Sequence, residues 1–170
     1  MSVFFKKKNV EEFKKKSSRG FSHKIAFVIV VVMAIAAIVL AVRQRVPAVG
    51  YVHIDDTVTV RVTVASSEPA RERGLSGRRS LAADEGMLFI FDAPDTYHFW
   101  MKEMRFPIDV VWIMNGAIAD ITTDLPPPVS GEELATFAPK VPVDRVLEVP
   151  AGFARAHGLK LGMSVRYVDN

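Results

Sequence analysis

PIDVVWIMNGAIADITT, residues 107–123, is the stretch that best indicates the fold. Residues 108–114 are almost entirely apolar, as in a buried strand, and Asn115-Gly116 is a dipeptide preferred in two-residue hairpin turns. Residues 117–123 can return as the partner strand. The stretch therefore predicts an antiparallel β-hairpin.

The segments on either side continue the pattern of short strands. Residues 58–64 alternate valine with Thr or Arg, which predicts a half-buried strand. Residues 87–91 are five apolar residues between turn signals, which is typical of a strand buried on both faces. Residues 97–101 are expected to return along that strand as a hairpin. Further strands are predicted at residues 145–149 and 163–168.

Two short helical segments are predicted between the strands. Ser67 and Gly74 fit the two ends of a helix over residues 68–73, and residues 152–158 predict a short helix or turn. Residues 125–142 contain five prolines and predict a long loop. The fold class expected is α+β and mainly β: a compact antiparallel sheet or small barrel of about seven strands with two short helices.

An apolar run precedes this domain. Ile25 to Val42 contains eighteen residues without a charge, and as a helix it would span about 27 Å, close to the hydrocarbon thickness of a bilayer. The run predicts one transmembrane helix at residues 25–42. The membrane is therefore an expected partner of the chain, bound through this helix. A basic tail is then expected at 1–24, a linker at 43–56 and a globular domain at 57–170.

The flanking charges predict the orientation of that helix. Residues 1–24 carry eight basic and two acidic side chains, so the positive-inside rule places the N-terminus in the cytoplasm. The tail is either a topology signal without structure or a short amphipathic segment on anionic lipid. The alternative to an anchor is a cleaved signal peptide, whose apolar core is normally shorter. Both interpretations make the domain extracytoplasmic, and the first makes the chain a single-pass membrane protein.

The domain has a different charge from the tail. Residues 47–170 carry 12 basic and 17 acidic side chains, a net charge of −5. Such a domain repels a phosphate backbone at long range, so no nucleic acid is expected among its partners. The chain has no cysteine, which excludes disulfides and thiolate metal sites. Its four histidines lack metal-ligand spacing, and we expect no metal and no cofactor.

Two clusters of polar residues could bind a ligand. Arg73 and Arg78 flank a glycine-containing loop at a helix end, where they could hold an anion or simply be surface arginines. His98, Trp100 and Lys102 alternate on one face of a predicted strand. That face could bind a sugar or a cation through Trp100, or Trp100 could be half buried in a cross-strand pair.

Two acidic residues lie within apolar strands. Asp109 and Glu148 are each surrounded by residues that favour burial, and a buried carboxylate is costly without a partner. They could form structural ion pairs with arginines. They could also act together as an acid and a base, as in glycoside hydrolysis.

Five blocks of the sequence resemble a known family. The blocks are Arg73-Gly74-Leu75 with Arg78, Gly86-Met87-Leu88-Phe89 with Phe91, Phe99-Trp100-Met101-Lys102, Pro107-Ile108-Asp109, and Val146-Leu147-Glu148 with Ala151-Gly152. In this order they resemble domain of unknown function 192, also called uncharacterised protein family 0127, over about residues 58–168. The resemblance implies a small, mainly β domain of bacteria or archaea, often behind a signal peptide or membrane anchor. It implies no established activity, cofactor or catalytic residue.

The resemblance includes one departure. Some members of that family carry cysteines in the loop before the Val-Leu-Glu block, and here residues 125–142 have none. A disulfide or thiol role of that loop is therefore absent from this chain.

Three hypotheses of function follow from the sequence. The first is a non-catalytic, membrane-tethered module that binds an unknown small-molecule or cell-envelope ligand through the polar residues named above. The second is an envelope-acting hydrolase with Asp109 and Glu148 as acid and base. The third is a structural protein that assembles through its apolar helix.

Overall fold

The computed structural model describes residues 23–37, 48–129, 131 and 134–170. Residues 23–37 form a helix, α1, whose side chains are all exposed. Among the described residues, no helix combines the length and the hydropathy that crossing a bilayer requires. Residues 38–42, the last part of the predicted transmembrane helix, lie outside the described residues. So do residues 1–22 of the predicted tail and 43–47 of the predicted linker.

The domain is mainly β, as expected. The described part of it contains nine strands: β1 (Val49–Ile54), β2 (Val58–Ala65), β3 (Glu85–Asp95), β4 (Phe99–Trp100), β5 (Ile108–Met114), β6 (Ala117–Leu125), β7 (Thr136–Phe137), β8 (Val143–Pro150) and β9 (Val165–Asp169). Seven of them form one sheet in the order β6-β5-β8-β3-β2-β1-β9, and β4 pairs with β7 as a separate ribbon. Every pair in the large sheet is antiparallel except β2 with β3.

The two edges of the large sheet meet. Ala117, at the start of β6, forms a bridge with Ser164, just before β9. The Ile118 amide donates to the Met163 carbonyl at 2.9 Å, and the Gly162 amide donates to the Ile118 carbonyl at 2.8 Å. The sheet thus curls toward the small barrel that the sequence allowed, and its edge strands are joined over a short length.

Each face of the sheet buries its own apolar cluster. One cluster draws residues from β1, β2, β3, β5, β6 and β8, including Val60, Leu88 and Val111, and we call its side the inner face. The second cluster includes Phe89, Val110 and Trp112, and we call its side the outer face. Phe99 and Phe137 of the β4–β7 ribbon pack against the outer face. A strand such as β5 is therefore buried on both sides, which explains its continuous apolar sequence.

The predicted hairpin over residues 107–123 is confirmed. β5 and β6 pair antiparallel with Met114 opposite Ala117. The backbone φ angles are 50° at Asn115 and 73° at Gly116, as the type I′ turn requires. The two predicted short helices are also present, as α2 (Glu68–Arg73) and α3 (Phe153–Ala156).

The predicted linker is wrong at its C-terminal end. Residues 49–54 form β1, which pairs with β2 on one side and β9 on the other. Gly50 was interpreted as a linker residue, but it lies within the strand beneath an aromatic ring. A Cβ atom at Gly50 would lie 2.5 Å from Cε2 of Tyr167. The sheet therefore begins before residue 57.

The predicted hairpin between residues 87–91 and 97–101 is also wrong. β3 has β2 on one side and β8 on the other, so it offers no free edge. β4 instead pairs with β7, with Phe99 opposite Phe137. The loop predicted at residues 125–142 thus contains a two-residue strand that covers the outer face.

Candidate functional site

Glu148 of β8 is an acidic residue buried in the apolar outer face. It stands opposite Met87 of β3 and Val110 of β5, both buried. Its side chain is only 5% exposed. The Oε2 atom accepts no hydrogen bond within the described structure, and no salt bridge of the described residues includes Glu148. An unpaired acid in such a place is costly, so it requires an explanation other than packing.

The surroundings of Glu148 change its ionisation. Burial raises the pKa of its carboxyl to about 8, and the positive charge of Arg78 opposes that rise without cancelling it. At neutral pH the carboxyl is therefore mostly protonated. In that state it can donate a hydrogen bond as well as accept one.

Glu148 lines a cavity of about 460 Å³. The lining also includes buried apolar side chains, among them Leu75 and Met104. The cavity opens toward solvent between exposed residues that include Arg73, His98 and Trp100. The lining therefore combines buried side chains, Glu148 among them, with exposed polar ones.

Aromatic rings form one wall of the cavity. The rings of Phe91 and Tyr97 are stacked with their centroids 3.6 Å apart. Phe99 packs edge-on against Phe89 at 5.1 Å and against Trp112 at 5.4 Å. The Tyr97 hydroxyl donates to the carbonyl of Ala93 at 2.6 Å. These contacts fix the ring positions, so the cavity is preformed.

Helix α2 supplies two arginines, Arg71 and Arg73, and two acidic residues, Glu68 and Glu72, to the cavity lining. Arg71 and Arg73 lie in its last turn, where a positive charge is favourable near the C-terminal carbonyls. The Arg71 guanidinium donates to the Ser66 and Ile90 carbonyls at 2.5 and 3.2 Å. It also lies 5.2 Å from the centroid of Phe91. Arg71 is thus held in place, whereas Arg73 is exposed at the mouth.

Four of the seven residues that the sequence singled out line this one cavity: Arg73, His98, Trp100 and Glu148. Lys102 lies beside it, with its ammonium 5.7 Å from the Trp100 ring. Arg78 lines a separate cavity of about 210 Å³ and donates to Oγ1 of Thr63 at 3.5 Å. Asp109 belongs to neither cavity.

Asp109 has a structural environment. Its Oδ1 accepts the backbone amide of Asp124, and its Oδ2 accepts that of Ala154, both at 2.9 Å. The first bond holds the irregular stretch of β6 where the register with β5 shifts. The second satisfies an amide in the first turn of α3, whose N-cap residue is Gly152 and offers no side-chain cap. Asp109 is fully buried with both carboxylate oxygens occupied.

The hypothesis that Asp109 and Glu148 act as an acid and base pair is wrong. Asp109 stands opposite Val149, on the inner face, whereas Glu148 stands opposite Val110, on the outer face. The sheet lies between the two carboxyl groups, so they cannot attack one bond from two sides. The arginine pairs expected for them are also not formed, since backbone amides hold Asp109 and no salt bridge of the described residues includes Glu148.

Sequence reasoning missed several residues of the cavity. Most of the missed residues are apolar or aromatic. The group comprises Arg71, Ser76, Phe89, Phe91, Tyr97, Phe99 and Met104. One signal was present, because five aromatic residues fall within residues 89–100. Residues 87–91 were interpreted only as a buried strand, and of these five aromatic residues only Trp100 was proposed to bind a ligand.

No metal centre is formed by the part of the chain that the structure describes, where no three His, Asp or Glu side chains are grouped to hold an ion. The expectation of no cofactor stays a prediction.

Comparison with known proteins places the fold in a family. The chain is similar to a Sinorhizobium meliloti 1021 protein of known crystal structure, provisionally described as a transcription regulator. The two share 29% identity and a TM-score of 0.64, over 71% of this chain and 95% of that one. A Novosphingobium aromaticivorans DSM 12444 protein of unknown function gives 25% identity and a TM-score of 0.64, over 69% of this chain and 84% of that one.

No curated protein matches the chain. The family model DUF192, described as Uncharacterized ACR, matches residues 51–167. These residues include the large sheet from Tyr51 to Tyr167 and every residue of the Glu148 cavity. The chain belongs to the DUF192 family.

Proposed function

We propose that this chain is a membrane-tethered, extracytoplasmic protein that binds a small ligand in the Glu148 cavity. The observation that carries the proposal is Glu148 itself, a buried carboxyl with an unpaired oxygen in a preformed aromatic cavity. Such a group costs stability in the free protein, and a bound ligand can supply the missing partner. A cavity of about 460 Å³ is within the range used for small molecules.

The polar residues at the mouth give this site its specificity. Arg73, His98 and Trp100 are exposed around the opening, where they can contact the part of a ligand that stays in solvent. Trp100 is 49% exposed and offers a flat ring next to the Lys102 ammonium. Arg78 and Asp109 are left out of the proposed site.

The proposed tether is the apolar run at residues 25–42. Residues 23–37 are helical with every side chain exposed, and from Ile25 onward the side chains of this helix are all apolar, which favours lipid over water. The excess of basic residues before the run supports a cytoplasmic N-terminus and an extracytoplasmic domain.

A reporter enzyme that is active only outside the cytoplasm can be fused after residue 170 to test the tether. The fusion should be active and should remain in the membrane fraction after alkaline extraction. Release into the soluble fraction would instead support a cleaved signal peptide.

We propose that this chain does not bind nucleic acid. The Sinorhizobium relative is provisionally described as a transcription regulator, and such a role would bring DNA to its surface. The domain of this chain carries a net charge of −5 over residues 47–170, which opposes phosphate binding.

The ligand-binding proposal can be tested by a fragment screen on the full-length chain in mild detergent. Fragments that raise the melting temperature of the wild type should fail to do so in Ser76→Trp, because Ser76 lines the cavity and an indole there fills it. Ser80→Trp is the matched control, since Ser80 is exposed and outside the cavity. A screen without a stabilising fragment, or with fragments that stabilise both variants equally, would reject the cavity as the site.

A further inference from the structure

The Glu148 cavity is lined by more acidic residues than arginines. Besides Glu148, which is mostly protonated at pH 7, three acidic residues and two arginines line it. One of these arginines, Arg71, already binds two backbone carbonyls and lies over Phe91. An anionic ligand would therefore meet one exposed arginine, Arg73, against several carboxylates. The charge of the lining favours a cation.

The aromatic wall also favours a cation. Ring faces attract positive charge, and two side chains of the protein already use this attraction here. The Arg71 guanidinium lies 5.2 Å from the Phe91 centroid, and the Lys102 ammonium lies 5.7 Å from the Trp100 centroid. The site thus accepts cations at its mouth, while its inner end contains no cation of its own.

The unpaired oxygen of Glu148 defines what the ligand must offer. Oε2 is buried without a hydrogen-bond donor, and the flanking side chains, Met87 and Val110, cannot donate. A ligand that carries an N–H and a positive charge would supply both the donor and the counter-charge. A quaternary ammonium would supply only the charge, and an alcohol only the donor.

We propose that the Glu148 cavity binds organic cations that combine an ammonium group bearing N–H with an apolar or aromatic body. The ammonium pairs with the Glu148 carboxylate, and the body packs against the aromatic wall. This inference rests on the proposed ligand-binding function and names the class of ligand for the same site.

The proposal has a defined proton balance. The Glu148 carboxyl is mostly protonated at pH 7 because burial raises its pKa to about 8. When the ammonium binds, the carboxyl loses its proton to the buffer and becomes the carboxylate of the ion pair. Affinity should therefore rise with pH, about tenfold per unit below pH 8, and level off above it. Arg78 is the neighbouring charge that affects this carboxyl, and Arg73 and His98 line the same cavity.

Three probes of similar size and different charge test the proposal: 2-phenylethylammonium, 2-phenylethanol and phenylacetate. Calorimetry on the full-length chain in detergent, in two buffers with different heats of ionisation, should show that the cation binds at least tenfold more tightly than the other two. The difference in heat between the buffers should correspond to nearly one proton released at pH 7. Phenylmethyl-trimethylammonium should bind more weakly than the primary ammonium.

The matched variants are Glu148→Gln in the cavity and Glu103→Gln on the surface. Glu148→Gln should reduce ammonium affinity by at least tenfold and abolish proton release, whereas Glu103→Gln should change neither. If 2-phenylethanol or phenylacetate binds as well as the ammonium, or if Glu148→Gln binds the ammonium normally, the cation proposal is overturned. In the first case the ligand-binding function stands. If no probe binds, the cation proposal also fails, and the separate Ser76→Trp screen decides the function.

Discussion

Asp109 and Glu148 are buried carboxylic acids on adjacent strands, and they illustrate two uses of burial. Asp109 is on the inner face, fully buried, and accepts two backbone amides. Glu148 is on the outer face, 5% exposed, with an oxygen that has no partner. Burial alone does not distinguish them. The number of hydrogen bonds indicates that the first acid supports the fold, while the second costs stability and is free to serve a ligand.

Asp120 is a third buried acid, and like Asp109 it accepts two backbone amides. Its Oδ1 accepts the amide of Ile121 at 2.9 Å, its Oδ2 accepts that of Lys140 at 3.1 Å, and the Lys140 ammonium lies 3.5 Å away. Its bonds help to hold the long loop after β6 against the sheet. Glu148 is thus the exception among the three buried acids of the described residues.

The largest loss of stability should come from Asp109→Ala. The change removes the acceptor of the buried Ala154 amide and of the partly buried Asp124 amide, and we expect a loss of about 3–5 kcal/mol in the free energy of unfolding. Urea denaturation of the full-length chain followed by tryptophan fluorescence measures it. Asp84→Ala, an exposed position, is the control and should change stability by less than about 0.5 kcal/mol. Equal midpoints for the two variants would contradict the structural role of Asp109.

A pH-dependent effect should come from Glu148→Gln, which is absent below pH 4.5 and grows up to about pH 8. Burial raises the pKa of Glu148 from 4.5 to about 8, so between these pH values the native state keeps a proton that the unfolded state has lost. Wild-type stability should then fall by about 1.4 kcal/mol per pH unit across this window relative to Glu148→Gln, and level off above pH 8. Below pH 4.5 the two curves should be parallel.

Denaturation midpoints at several pH values measure that difference, with Glu103→Gln as the exposed control. Its stability should follow the wild type throughout the pH range. Parallel curves for wild type and Glu148→Gln from pH 5 to 8 would show that Glu148 is paired in solution, and the contrast with Asp109 would disappear.

The smallest effect should come from Arg78→Met. The charge of Arg78 lowers the pKa of Glu148, so its removal should raise that pKa above about 8, by about one unit or less. A pH titration of the labelled glutamate carboxyl carbons by NMR measures the change. Arg79→Met removes an adjacent exposed charge and should leave the titration unchanged. Identical shifts in the two variants would indicate a general charge effect rather than a specific neighbour.

Much of the fold could be predicted from local patterns. The β5–β6 hairpin, both short helices and the burial of residues 87–89 follow from turn residues and from the spacing of apolar residues. The pairing of β4 with β7 could not, because 35 residues separate Trp100 from its partner Thr136 along the chain. β1 was missed because Gly50 indicates a linker unless the Tyr167 ring above it is known.

The site was only half predictable for a related reason. Glu148 and Asp109 occupy similar apolar sequence contexts, and their difference depends on which face of the sheet each one takes. In β8, Val143 and Val146 both lie on the outer face although they are three residues apart. The face that a residue of this strand takes therefore cannot be predicted from strict alternation of side chains along it. The distant partners of Asp109, at Asp124 and Ala154, leave no local signal.

The meeting of the sheet edges also determines when the domain can be completed. β1 lies between β2 and β9, and the start of β6 is joined to the segment just before β9. Since β9 spans Val165–Asp169, the curled sheet cannot close until those residues have left the ribosome. A domain assembled from such distant segments folds late and slowly. If the domain is exported as proposed, slow folding would leave the polypeptide unfolded for longer before translocation.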